Sequence, residues 1–437
     1  MPSVARLDTP PPTMALIVQK YGGTSVGSIE RIHNVARRAR KTQADGHDVV
    51  VIVSAMAGET NRLLGLAEDA MTFGRDAQSE DAIADRRELD VVAATGEQVS
   101  AALTALAIQS QGGQARSFLG HQLKVLTDRA YSKARILAIN PEVLKAPLDR
   151  GMIAVVAGYQ GVDDEGNITT LGRGGSDTSA VAVAAALSAD ACEIYTDVDG
   201  VYTTDPNVCA RARKIHRISY EEMLELASLG AKVLQRRSVE VAMKYGVPIH
   251  VRSSFSDAEG TWVVGEEGAL ESVVVQGVAY DKSEARVMLV SVEDKPGVVA
   301  RIFRELADEN ISVDMIIQNA AKDQEGRTDV TFTVAKLEMD KVRPIMDGLV
   351  GEVGAKGVRY DEDIAKVSIV GLGMRSHAGV AARMFDILAR ESINIQAIST
   401  SEIKVSCLVQ TKYAELAVRV LHDGFGLHEE PTPSGRG

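Results

Sequence analysis

The chain has 437 residues, 45% hydrophobic and 25% charged, so it is too long for one ordinary domain and apolar enough for real cores. Two to three domains are expected and global disorder is excluded. Its 48 Lys and Arg stand against 60 Asp and Glu, and a net charge of -12 makes nucleic acid a poor partner.

Three cysteines, Cys192, Cys209 and Cys407, lie far apart with no C-x-x-C. Neither a disulfide framework nor a zinc site is expected, and a reducing cytoplasm fits best. "MPSVARLDTPPPT" (1–13) lacks the apolar core of a signal peptide and reads as a disordered leader, with Met14 a candidate start. No run of eighteen apolar residues occurs, so no membrane partner is expected.

The first predicted strand, "ALIVQK", ends at Lys20, and "YGGTSVGS" follows with Gly22, Gly23, Ser25 and Gly27 before Ser28 N-caps a helix. Freed backbone amides, a lysine and a helix N-terminus make a place for phosphate, although an ordinary strand-to-helix turn explains the same residues. "GTSVG" matches the G-x-S-x-G nucleophile elbow, but on a first strand no upstream loop supplies the second oxyanion donor. The dipeptide Gly-Lys is absent, which excludes a Walker A loop.

"DVVVIVSA" is a second buried strand, and "SAMAGETNRLL" after it carries Ser54 and Thr60. "AATGEQVSAALTALAI" (93–108) predicts a helix beginning after Gly96, with Glu97 in its first turn facing either the helix dipole or a ligand ammonium. After the strand "MIAVVAGY" comes "TTLGRGGSDTSA" (169–180), where Arg173 precedes Gly174 and Gly175, and Ser176, Asp177 and Thr178 open a helix. Read alone, this is a second anion site at a helix N-terminus, with a fixed cation beside it.

"CEIYTDV" is a further strand, and "TDVDGVYTTDP" (196–206) sets Asp197, Asp199 and Asp205 at its carboxyl end and in the next turn. Such carboxylates take a ribose hydroxyl or Mg²⁺ through water, but Asp-Gly and Asp-Pro also simply form turns. With "PIHVRSS" these apolar runs alternate with helical patterns, predicting an open, mostly parallel sheet sandwiched by helices.

Beyond "SSFSDAEGTW" the texture becomes strand, helix, strand, strand, helix, and then repeats. Residues 293–319 and 374–401 align with Gly297 on Gly379, Phe303 on Phe385 and Ile311 on Ile393, each pair 82 apart. Two copies of one small α+β unit follow. "GLGMRS" (371–376) approaches a dinucleotide fingerprint but lacks its last glycine and reads as a turn, and "EEPTPSGRG" is a loose tail. Phosphate cradle, cation, anion and hydroxyls at several strand ends make a site for a zwitterion plus a nucleotide.

"KYGGTSVGS", "VSAMAGETNRLL", "ATGEQVSAALTA", "TTLGRGGSDTSA", "IYTDVDGVYTTDP", "GAKVLQRRSVEVA" and the paired "DKPGVVARIF" and "SHAGVAARMF" closely resemble aspartate kinase, most of all the monofunctional bacterial type with two ACT domains. The resemblance implies an α/β amino-acid-kinase fold over 14–262, then two α+β ferredoxin-like ACT domains over 272–360 and 364–430. It implies phosphoryl transfer from ATP, with Mg²⁺, to the side-chain carboxylate of L-aspartate, giving 4-phospho-L-aspartate on the route to lysine, threonine and methionine.

By the same resemblance Lys20 contacts the transferring phosphates, with Gly22, Gly23 and Ser25 beside it and Asp177 organising Lys20 or the metal. Thr196, Asp197, Tyr202, Asp205 and Pro206 line the nucleotide, and Lys232 reaches its phosphates. Ser54, Thr60, Glu97 and Arg173 hold aspartate, Glu97 taking the ammonium, with Gly174, Gly175 and Ser176 around the arginine. No resident metal site is implied.

The ACT pair implies inhibition by lysine, threonine or both, through Asp294, Gly297, Val299, Gln318 and Asn319 in the first copy and Ser401 in the second. It also implies a homo-oligomer through ACT pairing, and related enzymes make a shorter ACT-only subunit. Two alternatives stay open: a kinase of the same fold for another small acid, and a binding module with an inactive kinase half.

Overall fold

The computed structural model describes residues 14–73, 85–228, 233–266, 274–318, 326–375 and 379–429. Its contacts divide the chain into two units, one of Met1–Val201, Lys214–Ala227 and Lys232–Gly268, the other of Tyr202–Arg213, Ser228–Ala231 and Ala269–Gly437.

The first unit opens with β1 (Leu16–Tyr21), α1 (Ile29–Ala44), β2 (Asp48–Val53), α2 (Glu59–Thr72) and α3 (Arg86–Ser110). It continues with β3 (Ala115–Phe118), β4 (Leu126–Thr127), β5 (Ile136–Ala138), α4 (Glu142–Leu148), β6 (Ile153–Ala157), β7 (Gln160–Val162) and β8 (Ile168–Thr170). Then come α5 (Gly175–Leu187), β9 (Ala191–Thr196), β10 (Val201–Tyr202), β11 (Lys214–Ile215), β12 (Arg217–Ser219), α6 (Tyr220–Ser228), α7 (Arg236–Tyr245), β13 (Ile249–Ser253) and β14 (Thr261–Val264).

The five strands expected from the Val and Ile runs form the centre of an eight-stranded sheet, ordered β12-β14-β13-β9-β1-β2-β6-β3. From β13 to β3 every pairing is parallel, and only β14 meets β13 antiparallel. All five residues of β6 are buried, so both of its faces must be covered. On one face, Tyr21, Val51 and Val155 of the sheet share a core with Ile32 and Val35 of α1 and Ala101 and Ile108 of α3. On the other, α5 lies on β1 and β9.

Ser28 caps α1 as expected, its side chain accepting from the Arg31 amide. The helix over 93–108 begins earlier than the sequence suggests. It is the second half of α3, which starts at Arg86 under an Asp85 cap. By length and composition α3 passes for a membrane span, but it packs on α1, α2, β3 and β6 and buries Asp90, Glu97, Ser100 and Thr104.

The second unit contains β15 (Gly277–Asp281), β16 (Glu284–Glu293), α8 (Val298–Asp308), β17 (Val313–Gln318), β18 (Arg327–Ala335), α9 (Met339–Glu352) and β19 (Gly357–Asp361). It ends with β20 (Ile364–Val370), α10 (Val380–Arg390), β21 (Ala397–Thr400), β22 (Lys404–Gln410) and α11 (Ala414–Gly424). The repeat is visible in the backbone: Gly297 and Gly379 both have φ of 93° and cap α8 and α10, a conformation that disfavours side chains. Ile302 and Leu306 are buried in one copy, and Met384 and Leu388, 82 residues on, in the other.

The two sheets are ordered β17-β18-β16-β19 and β15-β20-β22-β21. Within the span 272–360 expected for the first copy, β15 pairs antiparallel with β20 of the second. The first copy completes its sheet with its own β19, whereas the second reaches α11 with no later described strand and has its edge filled by β15.

Candidate active site

The carboxyl ends of β1, β2, β6, β9 and β13 and the N-terminus of α5 gather most of the residues that the sequence singles out. Lys20, the penultimate residue of β1, is buried, and its Nζ lies 2.5 Å from Asp177 Oδ1. Asp177 sits in the first turn of α5, where the helix dipole favours a carboxylate.

Gly22 and Gly23 let the turn after β1 approach both the lysine and the neighbouring loop. A Cβ on Gly22 would stand 3.4 Å from Lys20 Nζ, and one on Gly23 would stand 2.9 Å from the Ala55 carbonyl oxygen. The buried Ser25 hydroxyl meets Ser254 Oγ at 2.5 Å, just past β13. Beside them a cleft is lined by Tyr21, Ser25, Arg31, Arg38, Ser254 and Phe255, so two further cations border this turn.

Ser54 follows β2 directly, and its amide donates to the Tyr21 carbonyl at 3.0 Å, while Thr60 lies in the first turn of α2. Glu97 is 3% exposed and projects from mid-helix, not from a first turn, so the helix-dipole explanation for it falls. Its Oε1 accepts from the Ala55 amide at 3.0 Å, and its Oε2 is buried with no hydrogen-bond partner among the described residues. Burial pushes its carboxyl up to about 7, against which the Ala55 amide works. A buried carboxylate oxygen with no donor is what a ligand ammonium satisfies.

Arg173 is exposed and makes no hydrogen bond or ion pair among the described residues. Gly174 after it has φ of 71°, and a Cβ there would stand 1.9 Å from the Gln235 side chain. Behind the loop, Gly158 touches Ser176, whose Cβ a side chain at 158 would meet at 2.9 Å. An exposed cation thus stands on a turn whose backbone is tightly held.

Sequence reasoning missed what holds that turn. The carboxylate of Asp90, 1% exposed, accepts from the Thr170 amide and hydroxyl, both at 2.7 Å, and from the Ser132 amide and hydroxyl. Arg237 donates to the Leu171 and Ala134 carbonyls. Asp90 was findable: had α3 been read as one helix from residue 86, Asp90 and Glu97, seven apart, would fall on its apolar face.

At the end of β9, Thr196 Oγ1 donates to Oδ1 of the exposed Asp197 at 3.0 Å, while Asp199 is taken up by Lys214 at 2.8 Å. Tyr202, Asp205 and Pro206 fall in the 202–213 segment, which clusters with the second unit. There Asp205 Oδ1 accepts from the Asn207 amide and side chain, the turn-forming use of an aspartate. Lys232 lies outside the described residues.

In the second unit, β16 and β17 both run antiparallel to β18, so their carboxyl ends share one end of the sheet. That brings the turn of Asp294, Gly297 and Val299 to the same end as Gln318. Ser401 follows β21 and donates its amide to the Lys404 carbonyl, and Asn319 lies outside the described residues.

Residues 15–253 match the amino acid kinase family, and residues 286–349 and 367–425 each match an ACT domain. The chain is 54% identical over 418 residues to an aspartate kinase of Pseudomonas putida, covering 95% of this chain and 98% of that one. It is similar to E. coli aspartokinase III in complex with aspartate and ADP (R-state), with 27% identity, TM-score 0.74 and coverage of 94% and 99% of the two chains. It is likewise similar to the T-state complex of that enzyme with lysine and aspartate, with 26% identity, TM-score 0.73 and the same coverage.

Proposed function

The chain belongs to the aspartate kinase family, and from that premise we propose that it transfers the γ-phosphoryl group of MgATP to the side-chain carboxylate of L-aspartate. The product is 4-phospho-L-aspartate, an activated acid on the way to lysine, threonine and methionine. The observation that carries this reading is the grouping of the Lys20–Asp177 pair with the Glu97 oxygen and Arg173, both without a partner among the described residues, around the strand ends of one sheet.

The attacking carboxylate is already ionised at pH 7, so no strong general base is required and catalysis rests on positioning and charge neutralisation. Lys20 meets the transferring phosphoryl oxygens, and Asp177 holds its ammonium in place. The amides of the Gly22–Gly23 turn lie beside it, with Ser25. Glu97 takes the aspartate ammonium, and Arg173 grips a carboxylate in the bidentate manner of a guanidinium. Ser54 and Thr60 supply hydroxyls, and Thr196 and Asp197 serve the nucleotide and Mg²⁺, with Lys232 reaching the phosphates.

Lysine, threonine or both inhibit through the ACT pair, at Asp294, Gly297, Val299, Gln318 and Asn319 and at Ser401. An effector acts only by binding one arrangement of the pair better than another. ACT pairing also builds a homo-oligomer, supported by the exposed Ile316 and Ile398, which stand 82 residues apart on the edge strands β17 and β21. The enzyme works in the cytoplasm.

The test is ATP consumption by the purified chain with aspartate, glutamate and acetylglutamate offered in turn. Turnover with aspartate alone is expected. A preparation that binds ATP but is inert with aspartate, or faster with another acid, overturns the reading.

A further inference from the structure

The cysteine spacing argues against a zinc site, yet folding brings one cysteine to a cluster that the linear sequence hides. Cys209 lies buried in the turn after Asp205, its amide donating to the Asp205 carbonyl. His422 and Asp423 close the last turn of α11, and all three belong to the second unit. One ligand atom from each, Sγ, a ring nitrogen and a carboxylate oxygen, lies within 4.8 Å of the others. We propose that Cys209, His422 and Asp423 form a three-ligand binding site for a borderline-soft divalent cation, Zn²⁺ foremost.

The first support is an unmet valence. His422 is 0% exposed, and its Nδ1 has no hydrogen-bond partner among the described residues, lying 3.8 Å from Asp423 Oδ1. Asp423 Oδ1 is itself buried without such a partner, because Arg211 takes the other oxygen, Oδ2. His428 Nδ1 is a third buried atom in this condition, and its ring centroid lies 6.4 Å from that of His422. Native interiors rarely leave two such atoms unsatisfied side by side, with a third nearby.

The second support is orientation. His422 Nε2 lies 2.9 Å from Thr203 Oγ1, which already accepts from the Arg213 amide. With the ring proton on Nε2 and donated to Thr203, the Nδ1 lone pair is left open 3.8 Å from Asp423 Oδ1, the arrangement in which imidazole binds a metal.

Ligand atoms on tetrahedral Zn²⁺ stand about 3.3 to 3.6 Å apart, given bonds of about 2.0 to 2.3 Å, so closure by about 1 Å completes the site. The mixed sulfur, nitrogen and oxygen set favours Zn²⁺ over Mg²⁺ or Ca²⁺, which take oxygen. Binding exchanges the Cys209 thiol proton for a sulfur–metal bond and releases that proton. The cation then staples the 202–213 segment to the C-terminal helix of the second unit.

The test uses the full chain, stripped with a chelator and titrated with Co²⁺ under excess Mg²⁺. One equivalent of Co²⁺ is expected to give a thiolate-to-metal charge-transfer band that Zn²⁺ abolishes. Cys209→Ser removes the band, and Thr203→Val, which frees the ring, weakens Co²⁺ binding by about 10- to 100-fold. Absence of the band in the wild-type chain, or its persistence in Cys209→Ser, overturns the proposal. The wild-type spectrum decides even where a variant fails to fold, and none of these readouts depends on kinase activity.

Discussion

Lys20 and Asp177 meet at 2.5 Å, the lysine from the end of β1 and the aspartate from the first turn of α5, with both side chains about one-tenth exposed. Such a pair is asymmetric under mutation, because removing one partner strands the other's charge out of water. Lys20→Met is therefore expected to lower kcat by about 10²- to 10³-fold, the usual loss for one donor to transition-state charge. Asp177→Asn is expected to lower kcat as well and to cost about 3 to 5 kcal/mol of stability. Urea unfolding and steady-state kinetics on both singles and the double variant check this. Strictly additive losses would show that the two side chains do not act as a unit.

Glu97 sets a pH dependence. Its carboxyl is pushed from 4.5 to about 7, chiefly by burial. Between those values the folded chain keeps a proton that the unfolded chain has released, so this group's contribution to stability is full below pH 4.5 and is lost as pH rises through 7. Glu97→Gln is expected to make the ligand-free protein more stable at pH 8, by up to about 3 kcal/mol. Aspartate affinity runs the other way, since only the carboxylate holds an ammonium. In the wild-type chain the aspartate Kd rises about tenfold per pH unit below 7, and Glu97→Gln binds weakly at every pH. A flat wild-type profile between pH 5.5 and 8 would remove Glu97 from the ammonium site.

Arg173 is expected to act on aspartate and not on ATP. Losing a charge-assisted bidentate contact costs about 2 to 3 kcal/mol, so Arg173→Ala raises the aspartate KM about 30- to 150-fold with the ATP KM nearly unchanged. Asp90→Asn is a second route to the same loss, because Asp90 anchors the turn at Thr170. A selective fall in ATP affinity in Arg173→Ala would reassign the turn to the nucleotide.

What was legible in the sequence follows from what each signal depends on. The five parallel strands were readable because burial on both faces leaves uninterrupted Val and Ile runs, and the ACT pair because its repeat is constant at 82 residues. Glycines and charges at strand ends announced Lys20, Gly23 and Arg173, since local composition alone carries that message. Asp90 and the true start of α3 were hidden by beginning that helix at Gly96, which shifted its apolar face. The β15 exchange and the cluster of Cys209 with His422 were hidden for another reason: both join segments far apart in the chain, and no local pattern encodes such a pairing.

The last prediction concerns regulation and turns on the difference between the two repeats. Gln318 ends β17 where the second copy has Thr400 at the end of β21, so only the first copy presents an amide side chain there. An amide offers both a donor and an acceptor to a free amino acid, and a threonine hydroxyl cannot match that reach. Titrating lysine, threonine and their mixture against the kinase rate is expected to show inhibition by at least one of them. Gln318→Ala should raise the half-inhibitory concentration at least about tenfold, equivalent to about 1.4 kcal/mol of effector binding, with the uninhibited rate unchanged. Ser401→Ala, at the opposite copy, should move it less. Equal shifts in the two variants would show that both repeats hold effector alike, and inhibition untouched by Gln318→Ala would place the effector elsewhere in the ACT pair.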